Sequence, residues 1–456
     1  MNRRFDAIVI GAGQAGPPMV GRLASAGQKV ALIERKLIGG TCVNTGCTPT
    51  KTLVASAYAA HLARRAADFG VNAGPVGVDF AAVMARKNKV VGNSRSNLTG
   101  WLRGMANCTL IEGQARFLSP TTIRVGDDVL EAERFFINVG GRATIPDFPG
   151  RDQVRTLTNT TLLELDVLPR RLVVVGGSYV GLEFAQVFRR LGAAVTVVEK
   201  APRLVSREDE EVSDAIREIL DAEGIEIRLE SECIQFEPRG AEIAVGVNCV
   251  AGEPEVLGSH VLLAVGRRPN TDDLGLEAAG VKVDAHGYIV VDESLKTSAP
   301  HIWALGDCNG RGAFTHTSYN DFEIAAANLL DGAARKVSDR IPVYALYVDP
   351  PLGRAGMSEA EARAKGHAVQ IGRRPMTRVG RAAEKGETQG FMKVVVDRDT
   401  DAILGAAILG VGGDEAIHGV IEAMAAGVTA SAYTRVMAIH PTVSELVPTI
   451  FGELSP

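Results

Sequence analysis

The stretch "DAIVIGAGQAG", residues 6–16, decides how the first part of the chain is expected to fold. An apolar and β-branched run leads into a Gly-x-Gly-x-x-Gly pattern formed by Gly11, Gly13 and Gly16. A helical stretch follows, and then a second strand, "KVALIE", which ends at Glu34. In this order the glycines let a pyrophosphate approach the backbone at the positive N-terminus of the helix, and the acid accepts hydrogen bonds from ribose hydroxyls. The stretch therefore predicts a dinucleotide site.

The same pattern occurs a second time, in "RRLVVVGGSYVG" (170–181). There the fingerprint residues are Gly176, Ser178 and Gly181, and the following strand ends at Glu199. Ser178 stands where a glycine is usual, and a side chain of this size is tolerable there. Either run alone fits a tight turn in a parallel α/β sheet, but the acid follows at the same spacing in both. Two dinucleotide sites in one chain favour a flavin with a nicotinamide nucleotide as its partner.

The length and composition of the chain restrict the class of protein. A chain of 456 residues is too long for one hydrophobic core, so two to four domains are expected. Contents of 46% hydrophobic and 23% charged residues are those of an ordinary soluble protein, and a net charge of −5 argues against a nucleic-acid or anionic-membrane partner. No apolar run approaches the roughly 18 residues that span a bilayer. The start, "MNRRFDAIVIGAG", predicts a strand and not a signal peptide, so a cytoplasmic location is expected.

The order of segments predicts an α/β fold with two Rossmann-like dinucleotide-binding domains, the second inserted in the first, and a C-terminal α+β domain. Two glycine- and proline-rich exits, "GGRATIPDFPG" (140–150) and "GRRPN" (266–270), suit the crossings between domains. Beyond about residue 340 alternating strand patterns begin. The expected ranges are 1–147 and 268–335 for the first domain, 148–267 for the inserted domain and 336–456 for the C-terminal domain.

Two of the six cysteines, Cys42 and Cys47, lie close together in "GGTCVNTGCTPTK" (39–51). Cysteines at this spacing form a structural disulfide, a metal site or a redox pair. A reducing cytoplasm disfavours a stable structural disulfide, which leaves metal binding and catalysis open. A metal site needs further Cys or His at ligand spacing, and the nearby sequence has none before His61.

These features together resemble the FAD-dependent pyridine nucleotide–disulfide oxidoreductases, which include dihydrolipoamide dehydrogenase, glutathione reductase and mercuric reductase. The resemblance covers essentially the whole chain. Its marks are both fingerprints, the cysteine pair with Pro49 and Lys51, Tyr179 and Glu183 in the second fingerprint helix, "GRRPN", "ALGD" (304–307) and "HPTVSE" (440–445). The resemblance implies an enzyme whose C-terminal domain forms a dimer.

The resemblance also implies roles at the reaction centre. Cys47 corresponds to the charge-transfer thiol that faces the flavin, and Cys42 to the interchange thiol that faces the substrate. Lys51, one helical turn after Cys47, favours a thiolate and reduced flavin, and the family pairs this lysine with the residue that is here Glu183.

Two further roles depend on the same resemblance. His440, oriented by Glu445, corresponds to an acid–base catalyst that reaches the disulfide of the other subunit, which implies an obligate homodimer. Tyr179 corresponds to an aromatic residue that covers the flavin until the nicotinamide enters.

The cofactor contacts are implied in the same way. Predicted FAD contacts are Gly11, Gly13, Gly16, Glu34, Thr41, Lys51, Gly140 and Asp307. Predicted NAD(P) contacts are Gly176, Ser178, Tyr179, Gly181, Glu199 and Gly266. No metal ligands are predicted.

NADH is the expected reductant. A carboxylate at Glu199 accepts hydrogen bonds from ribose hydroxyls and repels the 2′-phosphate of NADPH. NADPH-specific relatives such as glutathione reductase place arginines at this position and six residues on, where this chain has Glu199 and Val205. Lys200 and Arg203 argue against this preference, because either side chain is long enough to turn toward a phosphate.

The sequence restricts the electron acceptor less than it restricts any other part of the expected reaction. The expected function is electron transfer from NAD(P)H through FAD and a Cys42–Cys47 disulfide to a small oxidised acceptor: a disulfide, a thiol-bound metal or a related compound. Mercuric reductases carry a C-terminal vicinal cysteine pair, which "PTIFGELSP" (448–456) lacks, so a mercuric-reductase-like protein of another substrate is expected. The alternatives are a dihydrolipoamide dehydrogenase and a non-enzymatic dimeric flavin redox sensor or scaffold.

Overall fold

The computed structural model describes residues 2–248 and 253–455, which divide into two units. The first unit consists of Met1–Thr52, Met84–Thr144 and Gly266–Arg340, and the second of Leu53–Val83, Ile145–Val265 and Ile341–Pro456. Each unit is thus assembled from separate stretches of the chain. The division into two units does not test the four domain ranges, which stay a prediction.

The first unit contains a sheet whose strand Asn2–Ile10 lies between parallel neighbours, Val30–Glu34 and Asp128–Ile137. The strand order is Cys108–Glu112, Val30–Glu34, Asn2–Ile10, Asp128–Ile137, Thr122–Val125 and Ala115–Ser119, and Ile302–Ala304 also pairs with Asp128–Ile137. Residues 30–33 are all buried, as expected of a parallel strand covered on both faces. Parallel strands end at one edge of a sheet, so the first fingerprint, Glu34 and the turn after Ile137 share that edge.

Helices and short segments complete the first unit. They are the helices Gly16–Ser25, Gly40–Thr45 and Thr315–Leu330, parts of Cys47–Arg64 and Phe80–Arg103, the 3-10 segments Leu276–Ala279, Gly306–Asn309 and Val337–Asp339, and the strand pair Gly141–Ala143 with Arg267–Pro269. In the core the rings of Phe136 and Trp303 stack with centroids 5.0 Å apart.

The second unit contains a second parallel sheet that carries the second fingerprint. Its strands run in the order Glu226–Arg228, Ala194–Val198, Arg171–Val175, His260–Leu263 and Thr156–Leu157. An antiparallel sheet of Glu232–Arg239, Glu242–Asn248 and Glu255–Gly258 packs its apolar side on it. The helices are Asn159–Leu162, Tyr179–Leu191 and Glu210–Ala222, and the 3-10 segments are Ala66–Phe69 and Arg151–Gln153.

The C-terminal part of the second unit is an antiparallel sheet with short helices. The strand order is Val343–Leu346, Leu352–Gly356, Ile403–Leu409, Phe391–Asp397 and Val369–Pro375. The helices are Glu359–Ala364, Gly380–Glu384, Gly413–Ala416, His418–Ala425, Ala430–Tyr433 and Val447–Ile450, with 3-10 segments Met376–Arg378 and Ser444–Leu446. The predicted α/β fold, with two Rossmann-like sheets and a C-terminal α+β part, is confirmed. Among the described residues, no helix has the length and apolar character needed to cross a membrane.

Candidate active site

The backbone of the first fingerprint leaves no room for side chains. A Cβ on Gly11 would lie 2.2 Å from the carbonyl oxygen of Asn138, and a Cβ on Gly16 would lie 2.2 Å from that of Gly11. Gly11 has a φ of 103°, which glycine adopts at little cost. The side chain of Asn138 accepts a hydrogen bond from the Gly16 N–H at 3.0 Å and so fixes the start of the helix. This close approach of strand, turn and helix fits a pyrophosphate-binding backbone.

Backbone donors hold the acid at the end of the second strand. Glu34 Oε2 accepts a hydrogen bond from the Ala12 N–H at 2.9 Å, and Oε1 accepts one from the Lys36 N–H at 2.8 Å. The carboxylate therefore lies against the fingerprint turn with its remaining lone pairs available. That position fits the binding of ribose hydroxyls.

The second fingerprint repeats this construction. A Cβ on Gly176 would lie 2.4 Å from the Ala264 carbonyl oxygen, and one on Gly181 would lie 2.1 Å from that of Gly176. Glu199 Oε2 accepts a hydrogen bond from the Gly177 N–H at 2.6 Å. Two turns of the same geometry, each with a fixed acid, thus lie in two separate units.

The other residues predicted to contact FAD lie in the first unit. A Cβ on Gly40 would lie 2.8 Å from the Cα of Gly13, so the helix Gly40–Thr45, which contains Thr41, packs against the fingerprint. Burial raises the pKa of Asp307, and Arg267, 3.6 Å away, opposes that rise.

Two positive-φ glycines border open space. A Cβ on Gly140 or on Gly266 would meet no described atom within 4 Å, so a ligand can approach either backbone closely. The tight turn, the fixed acid and the exposed backbone at Gly140 fit an FAD molecule in the first unit, and Gly266 stays a predicted NAD(P) contact.

Cys42 lies in the helix Gly40–Thr45, and Cys47 is the first residue of the helix Cys47–Arg64. Neither is in a disulfide, and the side chains hydrogen-bond to each other. That contact, with burial and the charge of Cys47, raises the pKa of Cys42 far above its usual range. Cys47 Sγ also lies 3.2 Å from Thr315 Oγ1. Adjacent sulfurs beside the first fingerprint can carry out dithiol–disulfide chemistry.

Lys51 lies in the first unit and Glu183 in the second. Lys51 is half-buried in the helix Cys47–Arg64, one turn after the cysteine that begins it. Glu183 is buried, and its Oε1 accepts a hydrogen bond from the Tyr347 N–H at 3.0 Å. The pairing of Lys51 with Glu183 stays a prediction.

Tyr179 begins the second fingerprint helix, directly after Ser178, and its hydroxyl donates to Glu208 Oε1 at 3.0 Å. The hydroxyl of Tyr344 donates to the same oxygen at 2.7 Å, and the two rings pack edge to face. The carboxylate of Glu208 is fully buried and pairs with Arg354, whose Nε lies 3.0 Å from Oε2. A buried ion pair therefore holds Tyr179 by its hydroxyl.

His440 and Glu445 form the predicted pair. His440 Nδ1 lies 2.9 Å from Glu445 Oε2, and the imidazole is 82% exposed while the carboxylate is 13% exposed. The carboxylate favours the tautomer with a proton on Nδ1, which leaves Nε2 directed away from Glu445. An exposed imidazole that a carboxylate holds by one ring nitrogen can accept or donate a proton at the other.

The structure brings together Cys42 and Cys47, and His440 and Glu445, within their units. Two further contacts were not predicted from the sequence: Thr315 at the cysteine pair and Glu208 at Tyr179. Across residues 2–248 and 253–455, no three His, Cys, Asp or Glu side chains are arranged to hold a metal ion.

Family models match nearly the whole chain. The model described as pyridine nucleotide-disulphide oxidoreductase matches residues 5–321. The model for the dimerisation domain of the same family matches residues 343–450. The chain belongs to this family. It is therefore an enzyme of the flavoprotein disulfide oxidoreductases, which depend on FAD and a pyridine nucleotide, and it carries their dimerisation domain.

Three curated relatives are similar to the chain over more than nine-tenths of both lengths. The probable pyridine nucleotide-disulfide oxidoreductase RclA of Escherichia coli is 35% identical over 98% of this chain and 99% of its own. Mercuric reductase of Streptomyces lividans is 34% identical over 97% and 94%, and dihydrolipoyl dehydrogenase of Thermus scotoductus is 34% identical over 97% and 96%.

A solved structure is also similar to the chain. The Cu(II) complex of RclA, described as an HOCl-induced flavoprotein disulfide reductase from Escherichia coli, has a TM-score of 0.90 and 35% identity, with 99% of this chain and 100% of that chain covered.

Proposed function

We propose that this enzyme passes electrons from NADH through FAD and the pair Cys42–Cys47 to a small oxidised acceptor. The observation that carries the proposal is the hydrogen-bonded pair of sulfurs beside the first fingerprint turn. Glu34, Asp307 and the fingerprint glycines would hold FAD, which supplies the hydride and electron chemistry when bound. The dithiol then carries the electrons to the acceptor.

The thiol step follows from the two cysteines and His440. The Cys42 thiolate attacks an acceptor disulfide and forms a Cys42–acceptor S–S bond, while the other acceptor sulfur leaves with a proton from His440. The Cys47 thiolate then attacks Cys42 Sγ, which closes the Cys42–Cys47 disulfide and releases the second acceptor sulfur as a thiolate that takes a proton from water. Cys42 needs a base for its first step because the neighbouring Cys47 raises its pKa. His440, oriented by Glu445, supplies that base.

The acceptor is a disulfide or a soft metal ion held by thiols. RclA is named a disulfide reductase, and its structure has been solved as a Cu(II) complex. Other relatives are named mercuric reductases. These names support both types of acceptor. The test is a panel of lipoamide, glutathione disulfide, mercuric and cupric ions and quinones, offered with NADH to purified yellow protein.

The panel separates the proposal from its alternatives. Turnover that depends on Cys42 supports the disulfide relay. Fast turnover of lipoamide alone would favour a dihydrolipoamide dehydrogenase. Turnover of none would favour the flavin redox sensor or scaffold. A cytoplasmic location and the lack of a nucleic-acid partner remain predictions from the composition and the net charge of −5.

Activity is expected to require a homodimer, because the exposed His440 is proposed to act on the cysteine pair of the partner subunit. Met437 and Ile439, close to it in the chain, are 96% and 79% exposed, which fits a surface that a second subunit covers. Mixing inactive Cys42→Ser and His440→Ala chains should therefore restore activity. Random exchange makes half of the dimers mixed, each with one intact site, so about a quarter of wild-type activity is expected. No recovery after confirmed subunit exchange would place His440 outside the partner's site.

NADH is expected to exceed NADPH in kcat/KM by roughly tenfold or more, about 1.4 kcal/mol. Glu199 is fixed by the N–H groups of Gly177 and Ala201, so its charge cannot easily move away from a 2′-phosphate. Arg203, one of the two candidate phosphate ligands, lies 3.6 Å from Glu210. Steady-state kinetics with both reductants measure the ratio of the two kcat/KM values. Glu199→Ala should bring that ratio closer to one. Equal or better efficiency with NADPH would mean that Lys200 or Arg203 governs the pocket.

A further inference from the structure

Thr315 contacts the cysteine pair from a distant part of the chain. It is the first residue of the helix Thr315–Leu330, and its Oγ1 lies 3.2 Å from Cys47 Sγ. The same side chain hydrogen-bonds to Cys42, which lowers the pKa of that thiol against the larger effects of Cys47 and burial that raise it. The hydroxyl group of Thr315 therefore contacts Cys47 and also influences the pKa of Cys42.

A threonine hydroxyl has one proton, so it can donate to only one sulfur at a time. When the reduced pair loses one proton to a base or to water, the sulfur that receives the most hydrogen bonds holds the charge. Cys47 can accept from both the Thr315 hydroxyl and the Cys42 thiol. A hydrogen bond to a charged group is roughly twice as strong as one between neutral groups, so this arrangement is selective.

The helices that begin near the cysteine pair also favour a negative charge on Cys47. Cys47 begins a helix of 18 residues and Thr315 begins one of 16 residues, so the positive ends of two long helices lie near the Cys47 sulfur. Cys42 lies within a helix of six residues and is the less exposed of the two. Burial without a long helix terminus disfavours a negative charge on Cys42.

We propose that Thr315 is a positioning residue that directs the single negative charge of the reduced pair to Cys47, by donating its hydroxyl proton to Cys47 Sγ. The inference rests on the proposed dithiol function. Cys42 keeps its proton until a base removes it, so the two thiols are distinguished before an acceptor binds. Thr315 thereby separates the thiol that exchanges with the acceptor from the thiol that carries the charge.

The test is the reactivity of Cys47 as a function of pH in holoenzyme that carries Cys42→Ser. Iodoacetamide alkylates thiolates, and peptide mass spectrometry reports the rate at Cys47 itself. Adding Thr315→Val removes the donor while keeping the shape of the side chain. We expect the midpoint of the pH profile to move to higher pH and the rate below that midpoint to fall about tenfold. Thr315→Ser should restore the parent profile, and Thr315→Ala should behave like Thr315→Val.

Thr317→Val is the matched control. Its hydroxyl lies in the same helix start and hydrogen-bonds to the N–H and carbonyl groups of Phe314, at 3.1 and 2.7 Å. This variant weakens the helix start but keeps the hydroxyl at the sulfurs, so the profile of Cys47 should not move. An unchanged midpoint in Thr315→Val, or an equal change in Thr317→Val, overturns the proposal. The proposed function fails by a different result, which is wild-type disulfide reduction by the Cys42→Ser chain.

Discussion

Cys42→Ser is expected to lower disulfide reduction by about a thousandfold or more while the protein stays folded and yellow. Serine cannot replace the nucleophile, because its hydroxyl is far less acidic than a thiol and forms no S–S bond with the acceptor. Cys47→Ser should be equally inactive, because the mixed disulfide at Cys42 can no longer be resolved. NADH-dependent reduction of the acceptor identified by the panel measures both losses.

The absorption spectrum distinguishes the two variants. Under the proposed roles a Cys47 thiolate lies beside oxidised flavin, so Cys42→Ser should keep or strengthen a long-wavelength charge-transfer band and Cys47→Ser should lose it. Cys108→Ser is the control: this half-buried thiol lies in the strand Cys108–Glu112, and burial raises its pKa, so full activity is expected. Wild-type rates in both variants of the pair would exclude the relay through these thiols.

Local spacing made the fold and the nucleotide turns predictable. Gly16 lies against the carbonyl group of Gly11, five residues earlier, and Glu34 bonds to the turn of its own βαβ unit. Such contacts follow from the order strand, turn, helix and strand, which the sequence displays directly. His440 and Glu445 pair across five residues for the same reason.

Contacts between distant segments were not predictable in this way. Thr315 reaches Cys47 across 268 residues of sequence, and Tyr344 reaches Glu208 across 136. A threonine at the start of a helix and an acid in the run "SREDEEVSDA" look like ordinary capping and surface residues in the sequence. Their roles depend on which elements pack together, and periodicity does not report that.

A buried ion pair near the second fingerprint is expected to be needed for the stability of the protein. Arg354 is 3% exposed and the side chain of Glu208 is fully buried, with Arg354 Nε 3.0 Å from Glu208 Oε2. Burial lowers the pKa of Arg354, but Glu208, Tyr344 and Asp209 together outweigh burial and raise it, so the guanidinium stays protonated. Both charges therefore need each other.

Arg354→Leu should lower the free energy of unfolding of the protein by about 3–5 kcal/mol, because it leaves the carboxylate of Glu208 buried without its cation. Urea denaturation followed by circular dichroism measures the loss. Arg171→Leu is the control, since Arg171 also lies 3.0 Å from a carboxylate, that of Glu242, but is 50% exposed; a cost of about 1 kcal/mol or less is expected.

The double variant Glu208→Leu with Arg354→Leu gives the sharper result. Removing both charges removes the desolvation cost, so most of the lost stability should return. Recovery should be incomplete, because the hydroxyls of the half-buried Tyr179 and Tyr344 lose the carboxylate oxygen to which both donate. A loss in Arg354→Leu no larger than that in Arg171→Leu would show that the buried pair does not stabilise the unit that presents Tyr179.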